Sequence, residues 1–185
     1  YEDKIAVLGF SAGGHLAGCA ATMAKEKPNA ALLGYAVTKA SDVALCEPEG
    51  PDVNAAVDEH TCPCFVFAAC NDQIVPISNS LAFLQALAQH GVTFESHIYA
   101  YGPHGFSTGD TSVQPAKTQM CSRIPSWVED SIGWLRDVFG EFGETCMEEP
   151  KCKSHVNGDF EPMLSGDCTF GYLRICPEAC LLYTS

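Results

Sequence analysis

The stretch Gly9-Phe10-Ser11-Ala12-Gly13 constrains this chain more than any other. It has the form G-x-S-x-G, and its flanks are the ones that the form needs. Ile5-Ala6-Val7-Leu8 is a short apolar run that reads as a buried strand. Leu16 to Ala24 is rich in alanine and other small residues and reads as a helix. Strand, sharp turn and helix together force the intervening serine into a strained conformation, with its hydroxyl presented at the head of the helix. The spacing asks for glycine on both sides of Ser11, at positions 9 and 13, because strand and helix backbones pass closely there. The helix also directs its free N–H groups at the space above Ser11, where negative charge develops during attack on a carbonyl.

The rest of the chain supplies further strands and helices in alternation. Ala31 to Val37 and Cys64 to Ala69 read as buried strands, and Phe94 to Tyr101 as an alternating one. Ile77 to His90 carries Ile77, Leu81, Leu84, Leu87 and Ala88 at helical spacing, and Gly91 ends it. Pro125 opens a last helix with Trp127, Val128, Ile132 and Leu135 on one side. Residues 39 to 61 form a surface excursion, with a short helix over Asp52 to Glu59. Strands alternating with helices imply parallel strands joined by crossovers, an α/β fold of about four parallel strands with flanking helices.

A serine hydroxyl is a poor nucleophile at neutral pH and needs a base, usually a histidine held in one tautomer by a carboxylate. In a parallel sheet, catalytic groups collect at the carboxyl ends of the strands. Asp72 follows the third strand directly, in Asn71-Asp72-Gln73-Ile74-Val75-Pro76. His104 follows the fourth, in Tyr101-Gly102-Pro103-His104-Gly105-Phe106. The order Ser, Asp, His is that of the α/β hydrolases. The other histidines fit less well. His97 lies within a strand, and His15 is carried behind the serine by its helix, so both read as structural. His60, His90 and His155 have no partner motif.

Lys plus Arg number 10 against 23 for Asp plus Glu, a net charge of −13, which argues against nucleic acid and anionic membrane surfaces as partners. No apolar run approaches the ~20 residues of a membrane span. Of 11 cysteines, six precede residue 143 in apolar surroundings, Cys19 and Cys70 among them. They read as buried free thiols of a reducing compartment, which favours the cytoplasm. The chain has no initiator Met, so its N-terminus is read as cut away and secretion stays open. From about Gly143 the composition changes: residues 143–179 read as a cysteine-rich tail, or the start of a further module, with no clear strand and one helix start over Glu161 to Tyr172. Residues 180–185 resemble the translation of a sequencing-transposon end. Cys146, Cys152, Cys168 and Cys176 lack the paired C-x-x-C spacing of zinc sites, so no metal is expected and no cofactor is called for.

Three separated motifs carry a resemblance. GFSAGGHLAG, NDQIVPISNSLAFLQALAQHGV and HIYAYGPHGFS are similar to the elbow, the acid loop with its helix, and the base loop of the α/β-hydrolase superfamily. The chain most resembles the bacterial acetyl-esterase and feruloyl-esterase-like group of the esterase/lipase branch, often labelled xylan esterases, over about residues 4 to 139. The resemblance implies the C-terminal half of that fold, with Ser11 as nucleophile, Asp72 as orienting acid and His104 as general base. It makes the Ala12 N–H one oxyanion donor and a small or carbohydrate-linked acyl ester the substrate. A second donor belongs, in that group, to a Gly-rich loop after an earlier strand, often His-Gly-Gly, and no such segment precedes Lys4. The strand at Ile5 to Leu8 is then expected as an exposed apolar edge, and this piece alone as inactive and poorly soluble. The alternatives are a prolyl-oligopeptidase-type peptidase or an arylformamidase with the same triad, a metal-binding module in the tail, and a non-catalytic binder on the same scaffold.

Overall fold

Each buried apolar run pairs with the next one along the chain, and all in the same direction. In the computed structural model, side chains are described for residues 4–43 and 50–141. The chain divides into two units, Tyr1–Phe142 and Gly143–Ser185. The first holds β1 (Ala6–Phe10), α1 (Ala12–Thr22), β2 (Ala30–Gly34), β3 (Cys64–Ala69), α2 (Ser78–Gln89), β4 (Phe94–Tyr99) and α3 (Trp127–Val138). The four strands form a parallel sheet in the order β1-β2-β3-β4.

Strand alternation divides the core into two faces. Ala31 and Leu33 of β2 and Cys64 and Val66 of β3 pack with Ala17 and Ala21 of α1 and with Phe83 and Leu87 of α2. Leu32, Phe65 and Phe67 point the other way, to Phe106, Ile124, Trp127 and Trp134. Both central strands are buried throughout, which is why they read as continuous apolar runs. At one end of the sheet β1 is open, with Leu8 49 % exposed and Ile5, just ahead of the strand, 53 %, as an apolar edge was expected to be.

Several local expectations are corrected. Residues 52–59 form turns and no helix. Asp52 Oδ1 accepts the Ala55 N–H at 3.1 Å as a helix cap would, but the turn ends at Ala56. Asp58 Oδ1 takes the His60 N–H at 3.0 Å in a separate turn. On α2 the buried face is Asn79, Ser80, Phe83 and Leu87, while Leu81 is half exposed. The rotation follows from Asn79, whose Oδ1 accepts the N–H groups of Thr38 at 2.9 Å and Lys39 at 3.0 Å, turning that side inward. Pro125 lies in a single 3₁₀ turn, Ile124–Ser126, just ahead of α3. Cys62 and Cys64 are buried and free, but Cys70 is exposed, because β3 has ended and the chain turns outward.

In the second unit the backbone forms three strands, β5 (Met163–Ser165), β6 (Cys168–Cys176) and β7 (Ala179–Thr184), in an antiparallel sheet. The expectation of a tail without strands, with a helix start over 161–172, is corrected. Thr169, Phe170, Tyr172 and Ile175 are β-branched or aromatic and favour extended chain, and Gly171 weakens a helix. The segment read as a transposon end overlaps β7. Residues 142–162 and the expected Cys146 and Cys152 of the tail lie outside the described residues.

Candidate active site

Ser11 stands between β1 and α1 with φ 53° and ψ −118°, a left-handed φ that a residue with a Cβ adopts only at a cost, about 1–3 kcal/mol. Three backbone hydrogen bonds hold it there. Its N–H donates to Gly34 O at 3.0 Å, and its carbonyl accepts from the N–H groups of His15 at 3.1 Å and Val37 at 3.2 Å. A serine at a helix N-cap ordinarily turns its oxygen onto the helix's own N–H groups. Ser11 makes no such cap bond. Its Oγ lies 2.8 Å from His104 Nε2 instead.

The two expected glycine requirements divide differently. A Cβ on Gly9 would overlap the Gly13 carbonyl, so position 9 admits glycine alone. A Cβ on Gly13 would meet nothing within 4 Å. The second close approach is at Gly14, where an added Cβ would sit 2.5 Å from Ala36 Cβ. Two contacts therefore need a missing side chain: β1 against the start of α1 at Gly9, and α1 against the loop after β2 at Gly14.

Asp72 follows β3, and its carboxylate is almost wholly buried. Oδ1 accepts from the N–H groups of Ile74 at 2.8 Å and Val75 at 3.0 Å. Oδ2 lies 2.7 Å from His104 Nδ1. Because a carboxylate can only accept, the shared proton sits on Nδ1, and Nε2 is left to accept from the Ser11 hydroxyl. The three side chains expected to act together thus form one continuous line of hydrogen bonds. They come from three loops, each at the carboxyl end of a strand. Ala12 is the first residue of α1, so its N–H is among the donors that the helix leaves unpaired.

His15 and His97 sit where structure accounts for them, and His155 lies outside the described residues. His15 Nδ1 is 2.9 Å from Val37 O and ties α1 to the loop after β2. His97 stacks on Phe65 between the sheet and α3, 2.9 Å from Glu95 and 3.6 Å from Asp130. Among the described residues no group of three His, Cys, Asp or Glu side chains could hold a metal ion.

Sequence reasoning passed over several residues that shape this site. Asn71 Oδ1 accepts the Gly102 N–H at 2.8 Å and joins the acid loop to the base loop. Tyr35 lies beneath His104, ring edge to ring face, with centroids 5.0 Å apart. Trp127 Nε1 donates to Ser107 O at 2.8 Å. Asn71 was visible as the neighbour of Asp72. The aromatic pair carried no signal, because a tyrosine ending an apolar strand and a tryptophan opening an amphipathic helix both read as core.

Known proteins resemble this chain in sequence or in fold. The acetylxylan esterase of Xylanibacter ruminicola is 30 % identical over 157 residues, covering 70 % of this chain. MGS-M1, an α/β hydrolase from a Medee basin deep-sea metagenome library, superimposes with TM-score 0.67 at 35 % identity over 76 % of this chain. The acetyl ester-xyloside bifunctional hydrolase of Caldicellulosiruptor lactoaceticus does so with TM-score 0.59 at 28 % identity over 77 %. The chain spans 32 % of the esterase's length and 56 % and 59 % of those two solved chains. The sequence model of the dienelactone hydrolase family matches residues 1–131. The fold is that of the α/β hydrolases, and the chain belongs to the dienelactone hydrolase family.

Proposed function

We propose that the chain carries the site of a serine carboxylic-ester hydrolase, with Ser11 as nucleophile, His104 as general base and acid, and Asp72 as the orienting carboxylate. The observation that carries the reading is the unbroken line Ser11 Oγ, His104 Nε2, His104 Nδ1, Asp72 Oδ2, with heavy-atom separations of 2.8 Å and 2.7 Å. His104 Nε2 takes the hydroxyl proton as Ser11 Oγ bonds to the acyl carbon. The imidazolium so formed is held by the Asp72 carboxylate. The Ala12 N–H, at the positive end of α1, donates to the oxyanion. His104 then returns the proton to the leaving alcohol, and water, activated by the same ring, releases the acyl group from Ser11.

The substrate class is a small or carbohydrate-linked acyl ester. Two relatives support it by name, one an acetylxylan esterase and the other an acetyl ester-xyloside hydrolase. The test is hydrolysis by the complete protein of short acyl p-nitrophenyl esters and acetylated xylo-oligosaccharides, set against proline-containing amides. Ester turnover that disappears in Ser11→Ala is expected. Turnover of the amides alone, or ester turnover surviving in Ser11→Ala, would overturn the assignment.

A further inference from the structure

Ser107 lies three residues beyond His104, on the same loop, and both of its backbone polar groups are taken by aromatic side chains. Its N–H donates to the Tyr35 hydroxyl at 3.3 Å, and its carbonyl accepts from Trp127 Nε1 at 2.8 Å. Ser107 has φ 48° and Tyr35 φ 36°, and with Ser11 they are three of the four non-glycine residues of positive φ among those described. Such conformations persist only where the surroundings over-determine them, and they mark places where geometry is held for a purpose. Tyr35 and Trp127 are each 4 % exposed. Burial raises the Tyr35 phenol above its usual pKa, and the nearby Asp72 charge pushes in the same direction, so the hydroxyl stays neutral.

The same two rings also touch the elbow. Phe10, the residue before Ser11, stacks on Tyr35 with centroids 5.6 Å apart and meets Trp127 edge-on at 5.9 Å. Phe67 of the central strand stacks on Trp127 at 4.2 Å, and Phe106 packs against Tyr35 at 4.8 Å. One aromatic block therefore touches the backbone neighbour of the serine on one side and grips the histidine's loop on the other. Packing alone would not require both polar tips to be spent on a single residue.

We infer that Tyr35 and Trp127 are positioning residues, which fix the separation and orientation of His104 relative to Ser11 by clamping the two polar groups of Ser107. The inference rests on the proposed role of His104 as base. Tyr35→Phe removes the hydroxyl and leaves the ring beneath His104. In the complete protein, with a short acyl p-nitrophenyl ester, it is expected to lower kcat about 3- to 10-fold, the size of one lost hydrogen bond. KM should stay within about twofold, since the clamp touches no substrate. The proton on His104 Nδ1, shared with Asp72, should give a far-downfield NMR resonance that broadens in the variant. Leu87→Ala, in the core on the opposite face, serves as control: it should cost more stability while leaving kcat and the resonance intact.

Unchanged kcat and an unchanged resonance in Tyr35→Phe would overturn the clamp, as would an equal loss of both in Leu87→Ala. If Tyr35→Phe does not fold, Trp127→Phe puts the same question to the carbonyl side and is judged by the same two readings. An inactive Ser11→Ala together with an unaffected Tyr35→Phe removes the clamp alone. An active Ser11→Ala removes the site assignment beneath it.

Discussion

At the scale of single residues the site is a matter of where each oxygen and nitrogen spends its hydrogen bonds. Asp72 divides its carboxylate cleanly, one oxygen to the N–H groups of residues 74 and 75 and the other to His104. Asp72→Asn should therefore keep the turn, because Oδ1 remains an acceptor, but place an NH₂ group against Nδ1. The ring would then carry its proton on Nε2, where it faces the serine as a donor. We expect kcat to fall by about 10⁴-fold with little change in thermal midpoint, as loss of the correct tautomer does elsewhere. Ester kinetics and a melting curve on the same preparation check it. The placing of Asp72 and His104 in loops just past strand ends was legible in the sequence, since each lies within a few residues of the end of an expected strand. Ser107 was not, because no motif surrounds it to announce its positive φ, as one does for Ser11.

At the scale of elements, the strand-to-helix crossing decides which glycines matter. Gly9 faces the Gly13 carbonyl, and Gly14 faces Ala36, but Gly13 faces open space. Gly9→Ala should destabilise by more than about 3 kcal/mol, because backbone, not a flexible side chain, must move. Gly14→Ala is an overpacking substitution worth about 1–3 kcal/mol. Gly13→Ala, inside α1 with room for its methyl, should stabilise by about 0.5–1 kcal/mol. Urea unfolding of the three variants gives this ranking directly, and a costly Gly13→Ala would contradict it. The motif made positions 9 and 13 look equivalent, since both flank the serine. Only the crossing of β1 over the first turn of α1, which sets Gly9 against the Gly13 carbonyl, separates them.

The same limit explains the other misread elements. The central strands were legible because burial on both faces leaves uninterrupted apolar runs. The inward face of α2 was not, because it is set by Asn79, a polar residue turned in to cap the loop after β2. Cys70 looked buried by its composition, and is exposed because the strand ends one residue earlier. The three strands after residue 162 lay hidden in a segment whose cysteines and prolines pointed to irregular chain.

At the scale of the whole molecule, a parallel sheet brings together residues 61 and 93 positions apart from Ser11 by ending three strands at one rim. The chain carries a net charge of −13, and among the described residues no helix is long and apolar enough to cross a membrane. The most direct measurement is the rate and position of modification by a fluorophosphonate, which reports only a serine activated by its neighbours. Peptide mapping of the complete protein should find one adduct, on the peptide containing Ser11, absent in Ser11→Ala and slowed by about 10²-fold or more in His104→Ala. An adduct on another residue, or labelling at an undiminished rate without the imidazole of His104, would contradict the site described here.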